Sequence, residues 1–282
     1  KLVFDFRQTG TWLQPRRTGH VRLENSTLYL PATGVRIKDI VTDASLADNV
    51  IELKSFMARS GAGSLRGKGT FVLKEWHIEH FKVQLNGEQF QIIYLPELEL
   101  FANPDITFEG SGKKVTIRGT VLLPEGAVRD RQDKGVIRAS EDVIVSDRSK
   151  KVSKPLQTAI DAEISVVFGD KVRIAIEGLV GRLTGRVLLT GQDPARILGK
   201  GTIKIVDGKF DSYGVKLDIT RGNITLDGGP VDRASLDIMA IKTFNPGSFD
   251  QIRAGVTVTG LALEPLIKLY SEPAMADSDI LS

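Results

Sequence analysis

The sequence alternates between apolar and polar residues from one end to the other. A period of two places successive side chains on opposite faces of a strand, so each run predicts a strand with one apolar and one polar face. A buried parallel sheet would instead give continuous apolar runs. The clearest runs are Val21/Leu23, Leu28/Leu30, Phe71/Leu73, Phe81/Val83/Leu85, Val115/Ile117, Val172/Ile174/Ile176, Val215/Leu217/Ile219 and Val256/Val258.

Helical periodicity is missing from every segment of useful length, because apolar residues do not recur at i, i+3, i+4 and i+7. Residues 154–164 have a composition compatible with a helix, but the spacing of their apolar residues fits strand alternation better than helical periodicity. The pattern therefore predicts an all-β protein.

Glycine punctuates these strand-like runs in two ways. The dipeptides Asn86-Gly87, Asp207-Gly208 and Asp227-Gly228 predict tight hairpin turns, because both residue types accept a positive φ. Glycine also recurs inside strand runs, in similar stretches such as 65–71, 117–122, 183–188 and 198–203. A glycine inside a strand usually marks a bulge or a sharp bend, and repeated bends curl a sheet.

Together these patterns predict one long antiparallel sheet, curled into an elongated trough (a taco-like half-barrel) with an apolar groove. About twenty strands at ~4.8 Å spacing would make a ribbon about 90–100 Å long. A loop-rich stretch at 129–154 places a soft boundary near residue 150. We assign 1–150 to an upstream β-repeat region and 151–282 to a C-terminal β-trough region, and expect the sheet to continue across the boundary.

Composition narrows the class of protein. The chain has 282 residues, 41% of them hydrophobic and 6% aromatic, with 28 Gly and no Cys. The longest apolar runs, such as residues 92–95, are far shorter than the ~20 residues of a membrane-spanning helix. No signal peptide is recognisable, and the chain reads as a fragment of a longer protein. Its net charge of +3 comes from scattered basic residues, which argues against a nucleic-acid partner.

No constellation of residues predicts an enzyme, a cofactor or a metal site. His77 and His80 lie three residues apart, so on a regular strand they face opposite sides and cannot share an ion. No pair stands out among the carboxylates at the spacing that a glycan-cleaving enzyme needs. Phosphate-binding loops and nucleophile elbows are absent as well.

The C-terminal part resembles the TamB family of envelope proteins of diderm bacteria. The similarity is carried by residues 201–219, by 220–230, by Leu236–Ala240, by 256–260 and by the closing motif that ends in Asp279-Ile-Leu-Ser282. It is specific over 165–282 and looser over 20–164. Ala234-Ser235 stands where the family commonly has Pro, and the family's short tail after Ser282 is not part of this sequence.

This resemblance implies a periplasmic segment of an inner-membrane-anchored protein with a trough-shaped β-fold. It also implies a TamA-type outer-membrane barrel as partner, and roles in phospholipid transport and outer-membrane protein assembly. On that basis we expect a non-enzymatic conduit whose groove holds phospholipid acyl chains. The residues expected to line it are Val172, Ile174, Ile176, Val187, Ile203, Ile205, Val215, Leu217, Ile219, Ile224, Leu226, Leu236, Ile238, Val256 and Val258.

The alternative is a scaffold or chaperone. Residues 261–282 would then offer an edge strand to the barrel partner, or to unfolded outer-membrane proteins, by β-augmentation.

Overall fold

The computed structural model describes residues 1–11, 15–75, 77–130, 159–193, 196–212, 215–247 and 251–276. Within them, every regular element except one short 3-10 helix, Val231–Arg233, is a strand. The strands are β1 (Leu2–Gly10), β2 (Pro15–Leu30), β3 (Val35–Ala47), β4 (Val50–Ser60), β5 (Gly63–Lys74), β6 (His77–Glu88), β7 (Phe90–Tyr94), β8 (Leu98–Ser111), β9 (Lys114–Arg129), β10 (Ala159–Ile176), β11 (Leu179–Asp193), β12 (Arg196–Ser212), β13 (Val215–Pro230), β14 (Ser235–Phe244), β15 (Ile252–Leu261) and β16 (Glu264–Glu272).

All of these strands belong to one sheet of 16 strands that follows the order of the chain. Each strand pairs with its neighbours in the sequence, with one exception. β6 and β7 both pair with β8, along different parts of β8. In the part of the chain that the structure describes, the strand order ends at β1 and β16, and these two strands do not pair with each other. The prediction of an all-β protein built on one long, open, curled sheet is therefore confirmed, with fewer strands than the sequence suggested.

One pairing differs from the predicted antiparallel pattern. β9 and β10 run parallel, with Ala159 opposite Lys114 and Ala175 opposite Arg129. Antiparallel neighbours can be joined by a tight turn, whereas parallel neighbours need a crossover of a dozen or more residues. The chain between Arg129 and Ala159 is long enough for such a crossover. Alternation along a strand gives its faces but not its direction, so the sequence could not reveal this parallel seam.

The sheet continues across the predicted boundary, because β9 pairs β10. The boundary itself, near residue 150, lies outside the described residues. The division into 1–150 and 151–282 therefore stays a prediction.

The three predicted hairpin dipeptides do not form turns. Asn86-Gly87 lies inside β6, Asp207-Gly208 inside β12 and Asp227-Gly228 inside β13. Asp207 does adopt a positive φ of 52°, but it does so where the pairing registers of β12 are interrupted. A bulge uses the same backbone conformation as a tight turn, so the dipeptide alone could not distinguish the two.

Bulges give the sheet its bends. The register shifts in β10 at Phe168 against both neighbours, and further shifts interrupt β3, β4, β11 and β13. An extra residue in one strand bends that strand and increases its local twist. Repeated along the sheet, these bulges are the physical cause of the curl that the glycine pattern predicted.

Glycine also lets strands approach each other closely. Gly185 on β11 has a φ of 124° and Gly201 on β12 has a φ of 144°. A Cβ at Gly185 would overlap the carbonyl oxygen of Thr202, and one at Gly201 would overlap that of Arg186. These two positions belong to the repeated stretches of the sequence, which explains why glycine recurs there.

Candidate functional site

The residues predicted to line a groove lie on one face of the sheet, which we call the apolar face. Directly paired residues of neighbouring strands point to the same side. Ile203 is opposite Ile224, Ile224 is opposite Leu236, and Ile238 is opposite Val258. The same row extends backwards through Gly185 and Phe168 to Leu123 on β9.

Burial varies across this face. The buried members are Val172, Val187, Ile205, Leu217 and Leu226. The half-buried members are Ile174, Ile176, Ile203, Ile219, Ile224, Leu236, Ile238, Val256 and Val258. Val215, at the start of β13, is 48% exposed and contributes least to the packing. Most of these side chains therefore pack against their neighbours while keeping part of their surface accessible.

Two clusters organise the packing. One contains Ala102, Leu123, Val172, Leu183 and Ile205 and runs across β8 to β12. The other contains Val187, Leu226 and Ala234, and Phe168, Ile203 and Ile224 pack against both. Sequence reasoning omitted Leu183 and Phe168, although both lie on this face. Leu183 is in regular phase with Val187 through Gly185, so alternation alone could have included it. Phe168 is separated from Val172 by a bulge, and allowing for a bulge at Gly169 would have included it.

The apolar face also extends into the first half of the chain. Val83 is opposite both Gly69 and Phe108, and Leu85 is opposite both Gly67 and Ile106. Phe71 and Phe81 are paired and stack with their ring centroids 5.9 Å apart. The expected lining began at residue 172, but the same alternation earlier in the sequence could have extended it towards the N-terminus.

Among the described residues, extensive contacts between strands are confined to sheet neighbours, apart from those of β7. The described residues form one sheet and one short 3-10 helix, Val231–Arg233, so no separate second sheet is present in those ranges.

β7 is the exception, since it turns across the ends of β3, β4 and β5. Gln89, just before it, has a φ of 49°, and its N–H donates to Asn103 Oδ1 at 2.7 Å. The Ser60 hydroxyl, 2% exposed, donates to the Gln91 carbonyl at 2.8 Å. The Tyr94 N–H donates to the Thr33 carbonyl at 2.8 Å. β7 thus covers one end of the apolar face.

Charged residues occupy the opposite, polar face. The Arg118 guanidinium lies 2.9 Å from Asp161 Oδ1, and Lys114 Nζ lies 3.1 Å from Asp161 Oδ2. The hydrogen bond from Arg118, followed by that from Lys114, lowers the pKa of Asp161. The hydrogen bond from Arg22, followed by that from His20, likewise lowers the pKa of Asp43. Charged side chains of neighbouring strands thus pair with each other on the polar face.

The two histidines of β6 differ from expectation. The register shifts between Val72 and Leu73, so that His80 pairs with Val72 and His77 pairs with Lys74. Val72 and Lys74 are two residues apart, so the bulge puts both histidines on the same side, and the expectation of opposite sides was wrong. His77 Nδ1 lies 2.9 Å from the Glu75 carbonyl oxygen. In the described ranges, no three His, Cys, Asp or Glu side chains are grouped as metal ligands would be.

The C-terminal edge is apolar and accessible. Leu263, Leu266 and Ile267 are 71%, 60% and 68% exposed. One side of β16 has no neighbouring strand in the described part of the sheet. The candidate segment 261–282 is described only up to residue 276, so the closing motif ending at Ser282 lies outside the described residues. None of the helical structure in the described chain is long and apolar enough to span a bilayer.

Comparison with known proteins identifies the family. Residues 54–282 match the TamB C-terminal domain. The chain is 27% identical to the translocation and assembly module subunit TamB of Haemophilus influenzae, in an alignment covering 97% of this chain and 22% of that protein. It therefore spans about a fifth of the curated relative. Because the family match covers most of the chain, this protein belongs to the TamB family, as the resemblance in its sequence predicted.

Proposed function

We propose that this chain is a lipid-conduit segment whose apolar face holds phospholipid acyl chains as lipid moves between the inner and outer membranes. It would lie in the periplasm, as part of an inner-membrane-anchored protein, with a TamA-type barrel at the outer membrane. The proposed role needs no catalytic group or cofactor.

The observation that carries this proposal is an apolar face that is continuous by register and still partly accessible. Paired apolar residues connect Leu123 to Leu236 across six strands, and extensive contacts with non-neighbouring strands come only from β7 among the described residues. Each buried CH₂ group contributes about 0.8 kcal/mol, so partial contact along an acyl chain is enough for binding. Headgroups would remain toward water.

Lipid that co-purifies with the protein provides the test. Ile219 and Val258 lie on the apolar face, where an arginine would place a charge among acyl chains. We expect Ile219→Arg and Val258→Arg each to reduce co-purifying phospholipid at least tenfold, measured by mass spectrometry of organic extracts.

The matched control is Thr225→Arg, which adds the same charge on the polar face beside Ile224. It should retain lipid at the parent level, and circular dichroism should show the same strand content in all variants. If both apolar-face variants are folded and carry normal amounts of lipid, the acyl-chain proposal is wrong.

A second candidate is the assembly scaffold. The unpaired edge of β16 and the exposed Leu266 and Ile267 favour it, because such an edge offers a row of backbone donors and acceptors to a further strand. The partner would be the TamA-type barrel or an unfolded outer-membrane protein.

Deleting residues 261–282 should abolish capture of the purified barrel partner while co-purifying lipid persists. The control is Lys242→Gln, a neutralising change on β14, away from the edge. Equal capture by the parent and the deletion variant would exclude this segment as the docking strand.

A further inference from the structure

The polar face of β3, β4, β5 and β6 contains a hollow that the proposed lipid conduit does not use. It forms where two adjacent strands are bulged: the register shifts between Lys38 and Val41 in β3, and between Leu53 and Phe56 in β4. Bulges re-aim side chains and break the regular pleat. The resulting hollow has a volume of about 340 Å³.

The polar lining of this hollow carries positive charge. Lys54, Arg66 and Lys68 contribute exposed side chains, and none of the three forms an ion pair within the described part of the chain. The remaining polar lining residues are Ser55, Gln84 and Asn86.

None of the described residues that line this hollow carries a carboxylate. Carboxylates lie beside the lining: Asn86 Nδ2 donates to Asp105 Oδ1 at 2.7 Å, and Asp43, which is bonded to Arg22 and His20, is directly opposite Ser55. Glu52 lines an adjoining hollow that shares Lys54, Lys68 and Gln84 with this one, and Lys82 there is paired with Glu109 at 2.7 Å. Within the described ranges none of the nearby carboxylates forms an ion pair with Lys54, Arg66 or Lys68. Three unpaired cations on the lining therefore favour an anionic ligand.

The apolar part of the lining indicates what else the ligand carries. Val41 and Met57 supply it from the polar face, and Met57 is 40% exposed. Met57 is paired with Val41 on one side and with Arg66 on the other, so an apolar strip adjoins the cations. The volume lies at the low end of the range of about 300–1,000 Å³ for small-molecule sites, which suits a headgroup better than a whole lipid.

We propose that this hollow is a binding site for the headgroup of an anionic phospholipid in a membrane surface. Lys54, Arg66 and Lys68 contact the phosphate, and Val41 and Met57 contact the adjoining apolar part of the molecule. The site lies on the opposite face from the acyl-chain surface, so it would hold the sheet against a membrane and would not carry cargo.

Vesicle co-sedimentation of the full chain tests this site, with phosphatidylglycerol vesicles compared with phosphatidylcholine vesicles. The triple variant Lys54→Gln, Arg66→Gln, Lys68→Gln should lose at least tenfold in affinity for phosphatidylglycerol. The control triple Lys200→Gln, Lys204→Gln, Lys209→Gln has the same change in net charge on exposed positions of β12 and should lose less than twofold.

Equal losses in the two triples would show that overall charge drives binding and would overturn the site. Binding of soluble glycerol phosphate at the hollow without vesicle binding would also overturn it, in favour of a free phosphate ligand. Met57→Gln keeps all the cations and should weaken vesicle binding, whereas unchanged binding would contradict the apolar contact. Ile219→Arg should leave vesicle binding intact, so failure here and failure of the acyl-chain proposal are distinguishable.

Discussion

Asp161 shows how a single side chain fastens the parallel seam of the sheet. Its carboxylate accepts from Arg118 and Lys114, both on β9, while Asp161 itself belongs to β10. Arg118 also donates to the Asp161 carbonyl at 2.7 Å. These contacts tie the two strands together where no tight turn connects them. Removing the charge at Asp161 should therefore weaken the seam.

We predict that Asp161→Asn lowers the urea midpoint at pH 7. The folded-state pKa of Asp161 is lowered, so its charge stabilises the folded protein above the unfolded pKa of about 3.9. That contribution is lost as pH falls through the lowered folded-state pKa, and the difference between parent and variant should shrink over that range and disappear below it. Parallel urea titrations from pH 7 down to pH 2.5 measure this.

The control for this prediction is Asp232→Asn, because the Asp232 side chain is exposed and makes no ion pair in the described part of the chain. Its midpoint should follow that of the parent at every pH. A midpoint difference for Asp161→Asn that persists undiminished at pH 2.5 would mean that its charge is not the cause.

At the scale of the element, the sequence predicted correctly which side of each strand is apolar, but it did not predict where the turns between strands lie. A period of two follows directly from strand geometry, so the apolar phase could be read from residues such as Ile203, Ile224 and Ile238. Turn dipeptides failed because Asp207-Gly208 supplies a positive φ, which a bulge inside a strand uses as readily as a hairpin does.

Two further features needed the structure because they depend on residues distant in the sequence. The seam between β9 and β10 is parallel, and local alternation carries no information on strand direction. The hollow on the polar face arises only when bulges of two neighbouring strands coincide, which places Lys54, Arg66 and Lys68 together. In the sequence alone, each of these three basic residues is indistinguishable from an ordinary solvent-exposed residue.

At the scale of the molecule, both proposals depend on the sheet staying open. An open sheet keeps one continuous apolar face and one continuous polar face, and β7 covers one end of the apolar face. If the two halves of the apolar face packed against each other, acyl chains would have to displace protein contacts. The chain covers 22% of its curated relative, so these two faces correspond to about a fifth of that protein's length.

Small-angle X-ray scattering distinguishes an open sheet from a collapsed one. A compact protein of 282 residues would have a radius of gyration of about 19 Å. With β7 off the path, neighbouring strands at ~4.8 Å extend the sheet to about 70 Å from β1 to β16. We therefore expect a radius of gyration clearly above 19 Å and a maximum dimension of at least about 70 Å. Ile219→Arg should leave both values unchanged, because it alters the face and not the pairing, whereas a compact radius for the parent protein would mean that the apolar surfaces close on each other.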